Sequence, residues 1–249
     1  MSSSTKNYKF SIGSIFFLLA AIAMPLFYVL EGIKDLLFKL YNSLIMLFQY
    51  GDITAFVNIL LSGNENIFNM LYVWGAALAL VVAGIMLIIK LRGIALACPF
   101  AVFCVACLCG VIGRLVQIIG PLLGLMAGSA LIPSYFIDIV SFFVLMVATI
   151  ALIALILVNK NGTTPNALST ILKWAAPALA FIGSLGLTVS AGLSIFLKLI
   201  SSVVGYFNIL SIVKQLLSLD FIGALVTMVL LTAGFLFTAL WIANPYKKN

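Results

Sequence analysis

An all-α, polytopic integral membrane fold is what this sequence predicts, with about six transmembrane helices set as three hairpins, and three observations predict it. Hydrophobic residues fill 65% of the 249 positions and charged residues only 8%, where a soluble domain is roughly half apolar and a quarter charged. The apolar residues fall into six stretches of about 20, the length that crosses a hydrocarbon core. The basic residues gather at alternate connections, the mark of a chain threaded back and forth through a bilayer.

The first span covers residues 10–30 and follows Lys6 and Lys9. Ala21-Ile22-Ala23 resembles a signal-peptide cleavage pattern, but the apolar run continues beyond the length of an ordinary signal core, so an uncleaved span is expected. The others cover residues 67–89, 94–113, 135–158, 174–194 and 221–243. Trp74, Trp174, Trp241, Tyr72, Tyr135 and Tyr246 fall near span ends, where amphipathic rings favour the headgroup layer.

Lys6, Lys9, Lys90, Arg92, Lys160, Lys173, Lys247 and Lys248, eight of the thirteen basic residues, belong to one side of this topology. The six acids, Glu31, Asp35, Asp52, Glu65, Asp138 and Asp220, lie on or near the other. The positive-inside rule then predicts two cytoplasmic termini, in a plasma or inner membrane. This topology accounts for most of the net charge of +7, with at most a weak attraction to anionic headgroups besides. No basic cluster is dense enough to grip nucleic acid.

The spans pair as residues 1–90, 91–160 and 161–249, three candidate repeat units within a single transmembrane domain over 1–249. Each unit contains an unusually apolar or amphipathic outer segment. In the first, Ile33, Leu36, Leu37, Leu40, Leu44, Leu47 and Phe48 share an arc of roughly 120°, with Glu31, Lys34, Asp35 and Lys39 opposite. That pattern predicts a helix lying in the interface plane. In the third, Leu199, Val203, Tyr206, Leu210, Val213 and Leu217 share a rougher apolar face. The middle segment, residues 115–132, is expected to be re-entrant or interfacial. Its Gly120, Gly124 and Gly128 stand four apart, a spacing that permits close helix packing.

Each unit also has a base after its first span, Lys34, Arg114 and Lys198, and an acid before or opening its second, Glu65, Asp138 and Asp220. A proline sits in each odd span, at Pro25, Pro99 and Pro177. Three hairpins with such prolines resemble the mitochondrial carrier architecture. That family's signature of proline, acid and base at the end of each odd helix is missing, because Pro99 and Pro177 have no acid near them. Architecture alone implies no function.

The chain has no histidine, the commonest general base and metal ligand, and no catalytic, cofactor or metal site is predicted. Cys98, Cys104, Cys107 and Cys109 share one span, where cysteine serves as a small hydrophobe. In the fifth span, Gly183, Gly186 and Gly192 alternate with Ser184, Thr188, Ser190 and Ser194, a composition that favours helix packing over a polar lining. Asp138 is the one charge expected inside a span, paired with Arg114 at the rim. The midplane is therefore expected to lack ionisable groups. These features predict a non-enzymatic polytopic subunit of a larger membrane complex, in contact with lipid and with other subunits or copies of itself. The alternative is a channel or transporter for a small uncharged solute or lipid.

Overall fold

The structure, a computed structural model, describes residues 11–50, 67–122, 132–159, 167–204 and 209–243. These form seven helices: α1 (Ile12–Tyr50), α2 (Ile67–Ile88), α3 (Ile94–Leu122), α4 (Ile132–Val158), α5 (Ala167–Val204), α6 (Ile209–Leu216) and α7 (Leu219–Ala243). There is no strand among the described residues. Among the described residues six stretches are long and apolar enough to cross a membrane, one in each of α1 to α5 and a sixth that runs from Ile212 in α6 through α7.

The six long helices close a ring in chain order. α1 packs on α2, α2 on α3, α3 on α4, α4 on α5 and α5 on α7, and α7 returns to α1, with a lighter contact between α4 and α7. Neighbours run antiparallel: the start of α1 meets the end of α7 at Gly13 and Thr238, while Phe27 meets the start of α7 at Gly223. The bundle thus has a near end, with the start of α1 and the end of α7, and a far end.

Helical periodicity separates the two faces of each wall. On α1 the residues Ile12, Ile15, Leu19, Ile22, Leu26 and Val29, three or four apart, are all exposed, the apolar outer stripe that a membrane-spanning helix would need. Phe17, Ala20 and Met24 on the opposite side are buried. Phe17 of α1, Phe100 of α3 and Phe235 of α7 meet edge to face, with centroids 5.5, 5.7 and 6.2 Å apart. All three rings are fully buried. With Leu80, Leu87, Leu96, Leu152 and Leu155 they fill the near half of the ring.

A tight hairpin joins α2 to α3. The Leu91 amide donates to the Met86 carbonyl at 2.9 Å and the Lys90 amide to Leu87 at 3.2 Å, with Lys90 in the left-handed region at φ 58°, the pattern of a Schellman cap. Arg92, in this turn, stacks 4.3 Å from the Trp241 ring.

Two expectations about the outer segments need correction. Residues 33–48 do not form a separate helix in the interface plane, because α1 runs unbroken for 39 residues, about 58 Å at 1.5 Å per residue. Their amphipathicity has a different cause. Leu36, Leu37 and Leu40 continue the exposed stripe of the span, whereas Glu31 and Asp35 continue the inner face, towards α6 and α7. In the middle unit α3 carries on past Gly113 to Leu122, so residues 115–122 extend the span itself. Gly120 belongs to that helix, while Gly124 and Gly128 lie outside the described residues. In the third unit the helix of the span reaches Val204, and α6 is a separate element.

Close approach at glycine sets the wall of α4 and α5. A Cβ on Gly183 would stand 3.0 Å from the Leu145 amide nitrogen and 3.0 Å from the Ser141 carbonyl oxygen, both backbone atoms. One on Gly192 would meet the Phe221 ring at 3.4 Å, an ordinary contact. Gly183→Ala is therefore expected to lower the unfolding free energy by about 1–3 kcal/mol, and Gly192→Ala by less than about 1 kcal/mol. Denaturant titration in micelles checks this, and equal effects would contradict the packing described.

Candidate functional site

The far half of the ring is not filled. A half-enclosed cavity of about 480 Å³ lies there, and each of the six long helices contributes to its wall. Its volume is within the range of roughly 300–1,000 Å³ typical of small-molecule sites. Met24 and Leu231 form its floor and belong to the buried core. From Leu231 to Phe235 is about one turn of helix and from Met24 to Phe17 about two, so the aromatic cluster begins just beneath the floor.

Above that floor the lining is mixed, with Phe27, Val73, Phe142 and Leu187 standing among charged and polar side chains. Four carboxylates, Glu31, Asp35, Asp138 and Asp220, share the cavity with Arg114 and Lys198. Asp52 and Glu65, the other two acids, lie outside the described residues. Helix register explains the convergence. Tyr28, Glu31 and Asp35 follow Met24 along the inner face of α1, Lys198 lies on α5 beyond Ser190 and Ser194, and Asp220 opens α7.

Most of these charges have partners. Arg114 Nε lies 2.7 Å from Asp138 Oδ2, with the Asp138 side chain only 7% exposed. Arg114 also donates from Nη1 to Gln117 Oε1 at 2.7 Å, and its guanidinium lies 5.4 Å from the centre of the Tyr135 ring. Lys34 pairs with Glu31 one turn away, and Glu31 Oε2 accepts the Leu219 amide at 2.9 Å, capping the start of α7. Lys214 of α6 reaches Asp35 Oδ1 at 2.9 Å and lies 5.9 Å from the Phe38 ring. The long α1 is thus tied to α6 and α7 by its polar face.

Of the residues singled out from the sequence, Arg114 and Asp138 are brought together, and Gly183 and Gly186 pack on α4. Asp138 does not stand alone on the inner faces of these helices. Glu31, Asp35, Lys198 and Asp220, assigned to outer segments from the sequence, belong to the same long apolar stretches and share the Asp138 cavity. Ser141, Ser184, Thr188 and Ser194 all donate to carbonyls of their own helices, and Ser184, Ser190 and Ser194 also line the cavity. Ser190 also crosses to α4, donating to the Ser134 carbonyl at 2.9 Å.

Cys107 is part of the buried core and Cys98 faces outwards. Cys104 Sγ lies 3.8 Å from the Met146 carbonyl oxygen. No group of three potential metal ligands occurs among the described residues.

Sequence reasoning missed the convergence of Glu31, Asp35, Lys198 and Asp220 because it assigned them to separate outer segments. The signal was present in the register. Met24, Tyr28, Glu31 and Asp35 follow one another at three- and four-residue steps across the assumed boundary at Leu30.

The chain matches no protein-family model, no curated protein and no solved structure.

The ion pair makes an ordered prediction. Asp138→Asn leaves Arg114 with Gln117 and a path to the aqueous rim, and its expected cost is about 1 kcal/mol. Arg114→Asp instead sets two carboxylates together in a buried setting, with an expected cost of about 3–5 kcal/mol. Unfolding of the two variants in micelles checks the order, and its reversal would give Asp138 a role of its own.

Proposed function

We propose that this chain is a multi-pass membrane protein that binds a small polar solute in its far-end cavity and carries it across the bilayer. What carries the reading is a cavity walled by all six long helices and lined by Glu31, Asp35, Arg114, Asp138, Lys198 and Asp220, which lies above the fully buried Phe17, Phe100 and Phe235. A bilayer-spanning bundle with a purely structural role has no need to keep charged side chains around an internal space, since each costs free energy unless solvated or paired. An uncharged solute or lipid, the cargo of the alternative read from the sequence, fits the six charges of this lining less well than a charged or dipolar one.

The proposed orientation follows the charges. Lys90, Arg92 and Lys173 lie at the near end, while Glu31, Asp35, Asp138 and Asp220 lie at the far end. Near-end basic residues favour a cytoplasmic near end in a plasma or inner membrane, with the cavity facing the opposite compartment.

A second reading, a subunit of a larger membrane complex, has its own support. Leu36, Leu37 and Phe48 of the long α1 are exposed, Phe48 by 83%, and would suit a neighbouring protein as well as lipid. The discriminating experiment uses purified protein in liposomes. Uptake of labelled polar solutes is expected for the wild-type chain. Ala224→Trp, which puts an indole on the cavity wall, should reduce uptake at least about tenfold while the protein stays folded and monodisperse. Absence of uptake, with stable co-purification of other chains, would favour the subunit; unchanged uptake in Ala224→Trp would remove the cavity from the path.

A further inference from the structure

The cavity's charges are not all satisfied in the same way, and the difference identifies the solute class. Glu31 is held by Lys34 and the Leu219 amide, Asp35 by Lys214 and Asp138 by Arg114. Lys198 and Asp220 also line the cavity, yet neither reaches an ion-pair partner among the described residues. They lie on helices in contact, since Gly192 of α5 meets Phe221 of α7. The charges facing Asp220 are Glu31, Lys34, Asp35 and Lys198.

We propose that the far-end cavity binds a small zwitterionic solute, its ammonium group on Asp220 and its anionic group on Lys198. This deepens the translocation reading and rests on it. Two facts select a zwitterion over a simple ion. Glu31, Asp35, Asp138 and Asp220 are matched by Lys34, Lys214, Arg114 and Lys198, so the surroundings are balanced and attract neither sign strongly. A solute with one charge would pair with only one of Asp220 and Lys198 and leave the other with no direct partner in a half-enclosed setting, where that is costly. A dipolar solute satisfies both at once.

The second hairpin shows the arrangement that the solute would complete in the third. There, a base on the odd helix and an acid on the next span, Arg114 and Asp138, meet directly at 2.7 Å. Lys198 and Asp220 hold the corresponding places on α5 and α7, on the cavity wall. In the third hairpin the solute itself bridges base to acid.

The test is calorimetric titration of the full chain in lipid nanodiscs with ω-amino carboxylates, from glycine to 6-aminohexanoate, which vary the distance between the two charges. Butylammonium and butyrate serve as single-charge probes. At least one zwitterion is expected to bind about tenfold or more tightly than either single-charge probe. Lys198→Gln and Asp220→Asn should each weaken that binding by about tenfold or more, while Lys173→Gln at the near end should not alter it. If a single variant fails to fold, the exchanged pair, Lys198→Asp with Asp220→Lys, should restore the preference for zwitterions. The proposal is overturned if no zwitterion binds below about 1 mM, if butylammonium or butyrate binds equally well, or if both single variants bind as the wild type does. Zwitterion binding without uptake into liposomes would support this site and contradict translocation. Uptake of another solute without zwitterion binding would do the reverse.

Discussion

A charged side chain on a helix bathed in hydrocarbon must turn inwards, find a counter-charge or reach water. Glu31, Asp35, Arg114, Asp138, Lys198 and Asp220 all sit on helices whose other faces are exposed and apolar. A closed ring solves this for all six at once, because it gives every helix an inner face. The near half of that ring is filled by phenylalanine and leucine, and the far half keeps a space into which the six charges converge. The two halves depend on each other. Tight apolar packing at the near end fixes the helix positions that hold the charges together at the far end.

Much of the frame was legible in the sequence, because span length and hydropathy act on each helix alone. Five of the six spans begin or end within a few residues of their apolar stretches. The Arg114 and Asp138 placement was legible for the same reason, since both lie close to turns whose position the spans define. What could not be read was continuity. Treating Glu31 as the start of a new interfacial helix is reasonable when polar residues interrupt an apolar run, but the chain has no break there. A polar face can point inwards towards a cavity as readily as outwards to headgroups. The wheel gives amphipathicity without saying which side is water.

The glycines make the same distinction. Gly183 and Gly186 stood out because they cluster with serines, and both touch α4. Gly84, Gly110, Gly223 and Gly234 stand in apolar stretches without neighbouring serines and are just as tightly packed, against Leu18, Phe142, Phe27 and Phe17. Close approach is a property of two helices, and only the partner's side chain shows which glycine is needed. The same limit hid the aromatic cluster, whose three rings come from residues 17, 100 and 235 and share no local pattern.

The central claim is that water enters the ring from the far end and stops at the phenylalanines. It is tested most directly by thiol accessibility in a chain whose four cysteines are replaced by alanine. A cysteine at Ser194, on the cavity wall, and one at Ala239, buried beyond Phe235, are exposed in turn to a membrane-impermeant thiol reagent on each side of sealed vesicles. The account predicts modification at position 194 from one side only and none at position 239 from either. Modification at both positions, or an unreactive thiol at 194 from both sides, would contradict it.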